Sequence, residues 1–159
     1  MSFVIIFLII IASLFATAFF TKRRFGVLGL ALAAGAMLST LWVGDLTPII
    51  AQAGIIIVQP PLRSLVATGL VLLPALLLLS SGPTYKNLYQ RIIGSLAFAM
   101  LATALLLEPL GAALVIEGVG KQVYDFFVHN NVIIVTVCLV LAIVDLMLAK
   151  LPKPHRERN

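Results

Sequence analysis

Five apolar runs of 17 to 19 residues, nearly free of charge, are separated by short segments that hold most of the ionisable groups. An α-helix rises about 1.5 Å per residue, so runs of this length match the ~30 Å hydrocarbon core of a bilayer. The runs are continuous rather than alternating every second residue, which argues against a transmembrane barrel. The expected fold is therefore an all-α integral membrane protein, a bundle of five transmembrane helices. In 159 residues with 62% hydrophobic side chains there is room for one such bundle and no soluble domain.

The helices are expected at 3–20, 25–43, 62–80, 91–107 and 132–149, within a single unit over 1–151. The first is followed at once by Lys22, Arg23 and Arg24, and the second stops at Gly44-Asp45. Pro60-Pro61 and Ser81-Gly82-Pro83 frame the third. A basic tail, 152–159, closes the chain. Ala16-Thr17-Ala18 has the small-x-small form of a cleavage site, but the bases follow the run instead of preceding it, so the first run reads as a retained helix.

Orientation follows from the bases. With the amino terminus outside, nine of the eleven fall on the cytoplasmic side, and only Arg63 and Lys121 remain outside. The expected location is the bacterial inner (plasma) membrane, with the carboxyl terminus in the cytoplasm. Lys22, Arg23, Arg24, Lys150, Lys153, Arg156 and Arg158 then read as lipid-facing anchors against anionic headgroups. The net charge of +5 is split among loops without aromatic platforms, which disfavours nucleic acid as a partner.

Two segments between the runs are too short to cross. Thr47-Pro48 reads as an N-cap with proline at the first helical position, opening an interfacial helix over 48–58 that lies flat or re-enters the membrane. Residues 117–131 suggest a second amphipathic helix on the outer face, with Trp42 and Tyr124 as interface aromatics. His129, beside Asn130 and Asn131, is expected to cap or solvate the turn into the fifth crossing rather than bind metal. Tyr85, Lys86 and Tyr89 mark the cytoplasmic connector as a headgroup-level or docking segment.

Charged groups near hydrocarbon are the functional candidates. Glu108 is placed ~25 Å along the fourth helix from Arg91, near the outer interface, and Asp145 near the inner one. Arg63 and Arg91 complete the charged set. Pro74 frees the Leu70 carbonyl and bends the third helix, and Pro109 is expected to end or bend the fourth. Small residues mark the contact faces: Gly29, Ala31, Ala33, Gly35 and Ser39 on the second helix, and Gly94, Ser95, Ala99 and Ala102 on the fourth. These two helices are expected at the bundle centre.

Catalytic motifs, metal-ligand clusters and phosphate loops are missing, so no enzyme and no cofactor are expected. Cys138, the single cysteine, reads as an inert small hydrophobe. Lys22-Arg23-Arg24-Phe25-Gly26, leading to Gly35-Ala36, resembles the Arg-Gly turn and glycine-bearing second helix of the CvpA (colicin V production protein) family. Tyr89-Gln90-Arg91-Ile92-Ile93-Gly94 is similar to that family's Asp-Arg-x-x-Gly entry into its fourth helix. The match covers about the first 110 residues. Gln90 replaces an acid, Phe98 a glycine, and Leu101-Ala102 a second Arg-Gly pair. The resemblance implies a non-enzymatic membrane component linked to toxin export or envelope maintenance.

Three functions compete. A scaffold or accessory subunit, with a membrane-protein partner or a second copy, leaves the polar residues dispersed at interfaces. A small oligomeric transporter or channel brings Glu108, Asp145, Ser39, Thr40 and Thr68 to one cavity. A lipid enzyme must draw on Asp45, Glu108, Glu117 and His129.

Overall fold

A computed structural model describes residues 2–53, 61–79, 83–85, 87–113 and 119–148. Among these the chain is helical: α1 (Ser2–Thr21), α2 (Phe25–Gln52), α3 (Leu62–Leu79), α4 (Leu88–Ala113) and α5 (Val119–Met147). Four of them, α2 to α5, are long and apolar enough to cross a membrane. Lys86, Glu117, Lys150, Lys153, Arg156 and Arg158 lie outside the described residues, as does the stretch 54–60.

Three helices run past the ends expected for them. α2 continues through Gly44-Asp45 and Pro48, so no separate helix begins at Thr47. Thr47 does not cap: its hydroxyl bonds back to the Val43 carbonyl at 2.6 Å, as a residue inside a helix does. Pro48 leaves only the Gly44 carbonyl without its helical donor, and Gly44 is exposed with open space around it. α4 likewise runs through Pro109 to Ala113, so Pro109 does not end it.

The largest departure is in α5. Its 29 residues join the expected outer-face helix to the fifth crossing as one rod. No proline interrupts His129-Asn130-Asn131, and Asn130 returns its amide to the Phe126 carbonyl at 2.8 Å. The polar triplet therefore continues the helix, and His129 caps no turn.

The helices alternate up and down, and residue contacts fix which ends meet. Lys22 takes a left-handed conformation with φ 57°, which ends α1. The next residues pair antiparallel with the α3–α4 connector, through Tyr85 N–H to the Lys22 carbonyl (2.8 Å) and Arg24 N–H to the Pro83 carbonyl (3.1 Å). The end of α5 joins the same junction. α4 touches all four other helices, and α2 packs on α3, α4 and α5. Accordingly 56% of the apolar window in α4 is buried, against 11% in α5. Leu28, Leu32, Leu101, Leu106 and Leu107 fill the centre, fully buried.

Gly35, Ser95, Ala99 and Ala102 sit in that centre, with Gly29, Ala31, Ser39 and Gly94, whereas Ala33 is half-buried. Gly35 makes the tightest approach. A methyl added there would meet the Val71 carbonyl oxygen and lie 2.9 Å from that of Leu70. Leu70 is the carbonyl that Pro74 deprives of a donor, so the bare glycine lets it rest against α2.

Candidate functional site

At the basic end the arginines turn inward. Arg91 donates from Nε to the Phe19 carbonyl in the last turn of α1 at 2.6 Å, with its guanidinium 3.8 Å from the centroid of the Phe19 ring. Arg23 donates from Nε to the Leu79 carbonyl at the end of α3, at 3.0 Å. Arg24 reaches the Asp145 carbonyl near the end of α5 at 3.4 Å. Each of the three helices that finish at this end thus has a guanidinium on a terminal carbonyl. Helix C-termini carry partial negative charge and unpaired acceptors, so cations are favourable there. Arg23 and Arg24 are half-buried in these contacts, and of the three anchors Lys22 to Arg24 only Lys22 is exposed.

Of the two helices that start here, α2 is capped from elsewhere in the chain. Arg24, at the N-cap of α2, makes no side-chain cap. Instead Phe25 N–H donates to the Tyr85 hydroxyl, and Gly26 N–H to Asp145 Oδ2, both at 3.0 Å. Tyr85 is buried against Gly94, where an added methyl would lie 2.5 Å from the hydroxyl oxygen. Burial above all, with the neighbouring Asp145 carboxylate adding to it, pushes the Tyr85 phenol up to about 12. Asp145 is therefore a structural cap tied to the protein rather than a free anchor at the interface.

The opposite end holds a cavity of about 640 Å³ between α2, α3, α4 and α5. Ala36, Ser39, Thr40 and Val43 face it at helical spacing from α2, and Arg63, Ser64, Ala67 and Val71 from α3. α4 supplies Ala104, Leu105, Glu108 and Pro109, and α5 supplies Asn131. Pro109 leaves the Leu105 carbonyl without its helical donor beside the same space.

The polar groups here are not satisfied by one another. Among the described residues no ion pair or hydrogen bond joins Arg63 to Glu108. Asn131 Oδ1 is buried with no partner. Ser39 and Ser64 are buried as residues, yet among the described residues their hydroxyls have no hydrogen-bond partner and are not enclosed, so they open onto the cavity. Ser95 and Thr103, by contrast, bond back to the Arg91 and Ala99 carbonyls and take no part in a site.

No family model, curated protein or solved structure matches the chain. The site must be judged on its own geometry. Ser39, Thr40, Glu108 and Arg63 converge on the cavity, while Thr68 does not line it. Asp145 and Arg91 lie at the other end, and Pro74 lies within α3 between the two. Ser64 and Asn131 were missed in the sequence. The four-residue spacing Arg63-Ala67-Val71 was a usable signal for the α3 face, whereas Asn131 was masked by its polar neighbours. Among the described residues no three His, Cys, Asp or Glu side chains gather as metal ligands. Cys138 is buried in the apolar core.

Proposed function

We propose that the chain is a polytopic protein of the bacterial inner membrane that crosses five times, amino terminus outside and carboxyl terminus in the cytoplasm, and works as a scaffold or accessory subunit. The membrane placement is supported by the apolar exterior: Met37, Leu41, Leu77, Ile93, Ile133 and Met147 are all more than 60% exposed. In water such a surface would associate; among acyl chains it is solvated. The orientation rests on the excess of bases at the end holding Lys22 to Arg24.

One observation carries the accessory reading. Between the cavity and the basic junction the bundle is filled by Leu28, Leu32 and Leu101, so the cavity ends blind. From Ala36 back to Gly26 α2 covers about 15 Å without a polar group facing a path. A blind cavity suits a subunit that holds a ligand or partner, and a link to toxin export or envelope maintenance would accord with the CvpA resemblance. Crosslinking and affinity purification from native membranes test this. The expected result is a stable membrane-protein partner or a second copy, with no flux of ions or solutes through liposomes containing the purified chain.

The second reading is a small oligomeric transporter. It is favoured by Ser39, Thr40 and Glu108 lining one space. It requires the capped junction at the basic end to open, and solute uptake by the same liposomes would decide for it.

A further inference from the structure

We infer that the blind cavity is a binding site for a zwitterion carrying a primary ammonium and an anionic oxygen group. The assignment rests on the outward placement of this end proposed above. Arg63 brings a planar fork of donors from α3, suited to a phosphate or carboxylate. Glu108 on α4 brings an acceptor of opposite charge, and no ion pair joins the two among the described residues. Both side chains are exposed and open to a ligand, and a ligand with a single charge would pair with only one of them. A zwitterion meets both.

Asn131 sharpens the choice of cation. Its buried Oδ1 has no partner and asks for a hydrogen-bond donor. A primary ammonium has three N–H donors and can serve Glu108 and Asn131 together, whereas a quaternary ammonium has none. Beside the hydroxyls of Ser39, Thr40 and Ser64, the wall has an apolar part from Ala36, Val71, Ala104 and Leu105 that accepts hydrocarbon attached to the headgroup. The volume of about 640 Å³ lies within the ordinary range of small-molecule sites. Ala36, the deepest α2 residue on the wall, stands about 14 Å along α2 from Asp45, so the cavity reaches from headgroup depth into the hydrocarbon region. Two sources offer this chemistry: the phosphoethanolamine headgroup of a bilayer lipid, and a free zwitterion from the outer solution.

Native mass spectrometry of the full chain, released from detergent after addition of each probe, tests the site. The probes are phosphatidylethanolamine, phosphatidylcholine, phosphatidylglycerol and soluble O-phosphoethanolamine. Retention of phosphatidylethanolamine above the other two lipids supports the proposal with a lipid source; retention of O-phosphoethanolamine supports it with a soluble one. Glu108→Gln and Arg63→Gln should each weaken retention about tenfold or more, with partial recovery in Glu108→Asp and Arg63→Lys. Lys22→Gln, at the other end, should change nothing. Helical content by circular dichroism must match wild type in every variant compared. Equal retention of phosphatidylethanolamine and phosphatidylglycerol, no retention of any zwitterion, or undiminished retention in both charge variants overturns the site. Recovery of the chain from lysates without detergent overturns the membrane reading instead, and the O-phosphoethanolamine arm still tests the cavity.

Discussion

Asp145 Oδ2 accepts the backbone N–H of Gly26 at 3.0 Å, so a carboxylate near the end of α5 caps the start of α2 across 119 residues of chain. The bond satisfies an N–H that no residue of α2 can reach, and it places negative charge at the positive end of the helix dipole. It also fixes the rotation of α5, the least buried of the four long helices.

Removing that cap should loosen α5. Asp145→Ala is expected to cost about 1–3 kcal/mol, the penalty for a part-buried donor left without an acceptor. Asp145→Asn keeps an acceptor and should lose less. Thermal unfolding in detergent compares them, and equal losses would mean that charge alone, not the hydrogen bond, holds the junction.

Tyr85 gives the junction a dependence on alkaline pH. Its phenol is shifted from 10.0 to about 12, chiefly by burial. A proton held more tightly in the folded state stabilises that state fully below pH 10.0, and the contribution is lost as pH rises towards about 12. Stability should therefore fall over that window in wild type. Tyr85→Phe should be less stable at neutral pH, since Phe25 N–H loses its acceptor, and should lack that phenol's share of the alkaline decline.

Glycines that look alike in the sequence should behave differently. Gly35→Ala drives a methyl into the Val71 carbonyl on α3, and a loss of about 1–3 kcal/mol is expected. Gly69→Ala meets nothing within 4 Å and should be neutral or gain up to about 1 kcal/mol from helix propensity. Comparable losses at both positions would contradict the α2–α3 packing described.

Arg91 should not be replaceable by lysine. Its Nε bonds the Phe19 carbonyl while the planar guanidinium covers the Phe19 ring, a pairing that a point charge cannot reproduce. Arg91→Lys is expected to expose the end of α1 to limited proteolysis nearly as much as Arg91→Gln.

Much of the helical plan was legible because apolar runs and small-residue spacing are local signals. Gly35 and Ser39 on α2, and Ser95 and Ala99 on α4, lie in the packed interior as their four-residue spacing suggests. The helix ends were less legible. Thr47-Pro48 and His129-Asn130-Asn131 carry turn chemistry by type, but in place their side chains bond back to the preceding turn or leave the helix intact. The arginines show a different limit. Charge counting sends Arg23 and Arg24 outward, yet the carbonyls they meet, on Leu79 and Asp145, become neighbours only once α3 and α5 are packed. The cavity depends in the same way on residues from four helices, and no single segment announces it.

Site-directed labelling tests the central claim, a bundle embedded in the bilayer with its arginine-capped end in the cytoplasm. Cys138 is the only cysteine, so Cys138→Ala gives a clean background for Asn87→Cys at the basic end and Gln52→Cys at the other, both exposed. With a membrane-impermeant maleimide, Gln52→Cys should react in intact spheroplasts and Asn87→Cys only after the membrane is opened. The reverse pattern, or a chain recovered in the soluble fraction, would contradict the account.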